Sequence, residues 1–208
     1  VSKRLVMTIP YNAKFKSNWG YVKEAFEEAG LDVSKEDVTA VTHALREAVF
    51  ELFPGPSRVM EWINSEVVEC IKDGAESIEW VTPSGFMATQ RYYKAEMKRY
   101  DLQLLGSIRM NVAVGETDEV DLNHHRNATS PNLIHSLDAS LLHLSVLRFD
   151  APIALIHDSV LCRATDMSCL STIVRETYMH LFAEHDYLTD FARQIGAKTE
   201  PPIIGDLE

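Results

Sequence analysis

The chain has 208 residues, enough for one sizeable domain or two small ones. Its net charge of −11 argues against a general nucleic-acid binder, and no apolar run reaches the ~20 residues of a membrane span. Cys70, Cys162 and Cys169 form neither a disulfide framework nor a zinc spacing, so they read as core thiols of a reducing, cytoplasmic compartment.

The charge is unevenly distributed. Residues 1–16 carry Lys3, Arg4, Lys14 and Lys16 and no acid, and a long acidic stretch follows. Its acids, on helices between 24 and 79, are expected to face solvent. A second basic group, Arg91, Lys94, Lys98, Arg99 and Arg109, reads on charge alone as a solvated face.

In chain order, residues 2–9 read as a helix that Pro10 ends, because proline lacks an amide hydrogen and clashes one turn back. Residues 18–29 form a short helix stopped by Gly30. Ser34, with Asp37 three residues on, resembles a capping box. It opens a helix with Val38, Val41, Leu45, Val49 and Leu52 at helical spacing. Pro54-Gly55-Pro56 breaks that pattern, and a further helix ends at Asp73-Gly74. Residues 78–81, 86–93 and 102–112 read as strands, with a turn at Pro83-Ser84-Gly85. Residues 116–126 read as a short polar helix. Ser130-Pro131 reads as the start of another, which buries Ile134, Leu137, Leu141 and Leu144. Strands at 153–156 and 160–163 flank His157-Asp158-Ser159. Helices at 166–183 and from 188 complete the chain. This order predicts an α+β fold: a helical region, 1–76, and a region with a small antiparallel sheet, 77–208.

Three groups of residues have chemical potential. Lys3, Met7 and Tyr11 share one helix face and span about 12 Å, roughly a nucleotide's length from triphosphate to sugar. Alone, that spacing favours an ordinary amphipathic helix. His157-Asp158-Ser159 alone favours a hairpin turn. A carboxylate between strands this apolar nevertheless needs a partner, and a divalent cation is one. His135 lies one turn before Asp138 and alone favours a hydrogen-bonded helix-face histidine. His124-His125 and His180 with His185 lack a metal spacing and read as surface residues.

Together these segments resemble the phage-type single-subunit RNA polymerases. Lys3-Arg4-Leu5-Val6-Met7-Thr8-Ile9-Pro10-Tyr11 is similar to that family's nucleotide-binding helix. Glu79-Trp80-Val81-Thr82-Pro83-Ser84-Gly85-Phe86 resembles a strand–turn segment. Pro131-Asn132-Leu133-Ile134-His135-Ser136-Leu137-Asp138 resembles the segment ahead of the second metal motif, and Ala154-Leu155-Ile156-His157-Asp158-Ser159 that motif itself. The matches occur in the family's order and cover nearly the whole chain. The resemblance implies a right-hand polymerase fold, with fingers at 1–76 and palm at 77–208.

The resemblance also implies roles. Lys3 contacts the nucleotide's phosphates, and Tyr11 helps select ribose. Arg4 and Met7 lie near template and nucleotide, and His135 reaches the minor groove of the template–transcript duplex. Asp158 holds catalytic Mg²⁺ in a two-metal site, with His157 and Ser159 shaping the turn. The implied partners are a DNA template, an RNA transcript and NTPs, with a monomeric parent enzyme in a host cytoplasm or an organelle. Asn12 departs from the family's glycine, and the first metal aspartate is not in this sequence. The chain is therefore expected to be a carboxy-terminal piece, inactive alone. Two alternatives remain: a family A DNA polymerase, against which Met7 and Ser159 count, and a non-catalytic interaction domain.

Overall fold

A computed structural model describes residues 2–9, 13–103, 108–157 and 159–203. The architecture is α+β, as expected, with helices dominating and antiparallel strands in three separate two-stranded sheets among the described residues.

The first four helices are α1 (Ser2–Thr8), α2 (Phe15–Glu28), α3 (Lys35–Leu52) and α4 (Pro54–Lys72). The sequence signals at their ends largely hold. The Ser34 hydroxyl accepts from the Asp37 amide at 3.1 Å, and Gly30 and Gly74 follow their helices at φ 68° and 101°, the left-handed cap that glycine adopts without strain. The helical run does break here: α3 ends at Leu52, and Pro54 and Pro56 lie in the first turn of α4. Proline is tolerated in a first turn because those amides have no intrahelical acceptor. α2 begins three residues earlier than expected, with Lys14 at its N-cap.

β1 (Ile78–Val81) and β2 (Met87–Gln90) form a hairpin across the Thr82–Phe86 turn, where Gly85 has φ 81°. β3 (Tyr93–Leu102) and β4 (Ile108–Val120) form a ribbon exposed along nearly its whole length. Residues 116–120, expected to be helical, are strand, paired with β3 through two register shifts. The helix that follows, α5 (Leu122–Leu147), starts at Asp121, whose carboxylate accepts from the His124 amide at 2.9 Å. It runs unbroken through Ser130-Pro131, so that pair is helix interior and not a helix start. Its fully buried residues include Thr129, Ser130, Leu133, Ser140 and Ser145. Ile134, Leu137, Leu141 and Leu144, expected in the core, are only half-buried, because Leu137, Leu144 and Leu141 border open cavities.

β5 (Ile153–Ile156) and β6 (Ser159–Cys162) form the third hairpin, followed by α6 (Met167–Ala183) and α7 (Tyr187–Ile195). Two apolar clusters hold the chain together. Leu5, Ile9, Val22, Val38, Val49 and Met60 join α1 to α4. Trp62, Ile63, Val67, Ile78, Trp80, Leu133 and Phe191 join α4, β1, α5 and α7. α4 contributes to both.

Three surface and core assignments need correction. His125 is fully buried, because both ring nitrogens lie near backbone carbonyls, Nδ1 3.0 Å from Asp121 and Nε2 3.3 Å from Gln90. Glu66, in the acidic stretch, is buried too: it accepts from the Lys198 amide at 2.7 Å and from the Thr199 hydroxyl, which replace the water it loses. Cys169 is exposed on α6, and only Cys70 and Cys162 are half-buried.

Candidate functional site

α1 buries Leu5 and Ile9 against α2, α3 and α4, which fixes its opposite face outward. Lys3 and Met7, one turn apart, are both exposed on that face. Arg4 is committed to Glu24 on α2 as an exposed ion pair, with its guanidinium 6.0 Å from the Tyr21 ring centroid. Such a pair contributes ~0–1 kcal/mol, so it orients Arg4 more than it stabilises α1. Tyr11 lies outside the described residues.

The other three motifs meet around α5. The Trp80 indole N–H donates to the Ser136 hydroxyl at 3.1 Å, tying the strand–turn segment to α5. Ser84, in the turn, lies 3.1 Å from His143 Nδ1 and 3.3 Å from the Ser140 hydroxyl. On the other side of α5, a cavity of about 490 Å³ is bordered by His135, Asp138, Leu142 and His157. His135 also borders a groove of about 640 Å³ with Trp80, Thr82, Gln90 and Tyr92. His135, from the third motif, and His157, from the fourth, thus share one cavity wall. Neither cavity includes Lys3, Arg4 or Met7.

The turn itself is constrained. Ile156 pairs with Ser159, which leaves a two-residue turn. His157 has φ 56°, the sole positive φ of a non-glycine residue among the described residues. Tight two-residue hairpins require such angles. Holding a histidine there costs about 1–3 kcal/mol, a strain typical of functional turns. Asp158 lies outside the described residues. The burial argument for a cation partner does not hold in this chain, because Leu155, Ile156 and Leu161 are exposed. Among the described residues, no group of three or more His, Cys, Asp or Glu side chains could hold a metal ion. No helix among them is long and apolar enough to cross a membrane.

Sequence reasoning missed the polar network beneath the groove. Gln90 Nε2 donates to the Thr129 hydroxyl at 2.8 Å and to the His125 carbonyl at 3.1 Å, while Asn132 Nδ2 donates to Gln90 Oε1 at 2.8 Å. Asn132 stands in a quoted motif, but nothing in the sequence pairs it with Gln90.

Three of the four ordered motifs are thus joined around one helix, and the comparison with known families agrees with their resemblance to the single-subunit polymerases. Residues 1–204 match the DNA-dependent RNA polymerase family, and the chain belongs to it. It is similar to the DNA-directed RNA polymerase of Pseudomonas phage phiKMV, 27% identical over the whole chain and 26% of that protein. It is 30% identical to the chloroplastic DNA-directed RNA polymerase 3 of Nicotiana sylvestris, over 97% of the chain and 21% of that protein. T7 RNA polymerase of Escherichia phage T7 is 27% identical over 93% of the chain and 25% of its own length. The chain therefore spans about a quarter of the relatives it matches. The family separates it from the family A DNA polymerases.

Proposed function

We propose that this chain supplies the nucleotide-binding helix and one metal-binding carboxylate of a polymerase that makes RNA from NTPs on a DNA template. The observation that carries the reading is the shared cavity of His135 and His157, which brings the duplex-contacting motif against the metal motif. Residues 1–76 act as part of the fingers and 77–208 as part of the palm. The relatives named as DNA-directed RNA polymerases support the reaction class.

Each residue has a physical task. Lys3 is a flexible point charge, exposed and suited to a triphosphate. Met7, one turn on, offers an apolar surface for a base, and Tyr11 a ring and hydroxyl for the sugar. Arg4 steadies this helix through Glu24. His135 is an exposed donor on α5 suited to a minor-groove edge. His157 and Ser159 hold the turn that presents Asp158. An oxygen donor suits Mg²⁺, but the described residues alone do not complete a site, so a second carboxylate must come from elsewhere in the polymerase. When bound, two such ions would stabilise the attacking 3′ oxygen and the leaving pyrophosphate. The β3–β4 ribbon extends roughly 30 Å with both faces exposed, and a two-stranded ribbon fits a DNA major groove.

The test is Asp158→Asn in a whole polymerase carrying this segment. Nucleotide addition should fall at least ~1,000-fold, on the scale of losing a main electrostatic contribution to the transition state, with the melting temperature unchanged. Near-normal elongation would refute the assignment.

A further inference from the structure

We propose that the groove between the β1–β2 hairpin and α5 holds a single strand of nucleic acid, with a base stacked on the Phe86 ring and a phosphate on Arg91. This rests on the reading of His135 as a duplex contact, since His135 borders the same groove, and gives the space beyond it to an unpaired strand.

The groove has a volume of about 640 Å³. The chain carries 31 acidic residues against 20 lysines and arginines, yet none of the described residues that line this groove is Asp or Glu. Two other cavities are bordered by Asp138 and Asp190. The basic side chains here are Arg91, His135 and His143. Such a lining, in a chain whose net charge is −11, favours an anionic ligand.

One wall is a single face of α5, formed by Asn132, His135, Ser136, Ala139 and His143. From His135 to His143 it runs about 12 Å at 1.5 Å per residue, the length of about three nucleotides stacked at 3.4 Å. At the far end His143 Nδ1 lies 3.1 Å from the Ser84 hydroxyl, so both walls offer polar groups there.

Phe86 gives an independent sign. Its ring lines the groove and is 63% exposed, but its backbone is held on both sides. The Phe86 amide donates to the Thr82 hydroxyl at 3.1 Å, and its carbonyl accepts from the Thr82 amide at 2.8 Å. A pinned, exposed aromatic beside cationic groups suits an unpaired strand, because every base has a flat face to stack. In a duplex those faces are covered by neighbouring bases. Arg91 supplies the fixed charge. Its Nε and Nη2 donate to the Tyr93 hydroxyl, and Nη2 also reaches Glu76 at 3.1 Å. That ion pair is exposed and weak, and Nη1 takes no part in it, so the guanidinium can also take a phosphate oxygen.

The test measures binding of a short oligonucleotide, as single-stranded RNA and as single-stranded DNA, to this chain by fluorescence anisotropy across a salt series. Phe86→Ala should weaken binding about five- to hundredfold, the scale of one lost stacking contact, and leave the log–log salt slope and the melting temperature unchanged. Phe86→Trp should keep the affinity and Phe86→Leu should lose it, which separates stacking from apolar area. Arg91→Gln should lower the slope by about 0.7, one phosphate contact on a single strand. Tyr178→Ala, which removes an exposed ring on α6, should change neither quantity. Full affinity in Phe86→Ala overturns the site, as does the absence of oligonucleotide binding by the unaltered chain. A blunt duplex that competes as well as the single strand overturns the strand assignment. A loss confined to RNA makes the strand the transcript, and one confined to DNA makes it the template. His135→Ala in a whole polymerase tests the underlying reading separately. If duplex binding survives it while Phe86→Ala has its effect on the single strand, the reading of His135 fails and this groove stands.

Discussion

Asp186, at the start of α7, shows what one capping side chain does. Its carboxylate accepts from the Thr189 hydroxyl at 2.6 Å and from the Thr189 amide at 3.1 Å. Those donors, the hydroxyl first, hold its carboxyl below the ordinary value of 3.8, and burial opposes them only partly. A depressed carboxylate contributes stability that is present above its unfolded pKa and lost as the pH falls through its folded pKa. Asp186→Ala should therefore cost about 1 kcal/mol near pH 7. The gap between variant and parent in urea should close as the pH drops well below 4. A gap that stayed constant to pH 2–3 would mean that the cap acts through something other than its charge. This scale was partly legible in the sequence. Ser34 announced itself by Asp37 three residues on, whereas Asp121 sits before a polar stretch with no apolar period to mark a helix. The turn at His157 was legible, but its positive φ was not, because histidine enters that region only in certain turns and the sequence did not set the turn's length.

At the scale of elements, α5 is the informative failure. Ser130-Pro131 has the composition of a helix start, yet it lies within a helix of 26 residues. Proline removes the amide that would bond to the carbonyl one turn back, and its ring presses on that turn, at a cost of ~3 kcal/mol. Burial of Thr129, Ser130 and Leu133 against the rest of the chain outweighs that cost, and tertiary packing of this kind is invisible to a local pattern. The same holds for residues 116–120, whose polar composition conceals a strand that only pairing with β3 defines. Proline inside a helix favours a bend, and Pro131 stands one turn before His135. Pro131→Ala should thus raise stability by about 1–3 kcal/mol, read from the urea midpoint. It should also weaken binding of a template–transcript duplex by a whole polymerase carrying the change, because His135 would point elsewhere. A variant no more stable than the parent would show that the helix pays nothing for its proline.

At the scale of the whole molecule, the contacts that close the fold join residues far apart in sequence. The Trp62 indole N–H reaches the Thr199 hydroxyl at 3.1 Å, and Glu66 holds the Lys198 amide. Phe191 packs edge-on against Trp62 and Trp80, with ring centroids 6.4 and 5.8 Å apart. The sequence motifs did not show that α7 would be the wedge between the two tryptophans. Phe191→Ala removes that wedge and should cost about 3–5 kcal/mol, a large share of the ~5–15 kcal/mol typical of a domain. The consequence for the proposed division at residue 76 depends on α4, which lends Met60 to one cluster and Trp62, Ile63 and Val67 to the other. A helix shared in this way should transmit the loss. Hydrogen exchange in Phe191→Ala should then show the amides of α3, which touch only the first cluster, losing protection in proportion to those of α5. If α3 keeps its full protection while α5 opens, the two clusters are independent units, and α4 is a connector that each can do without.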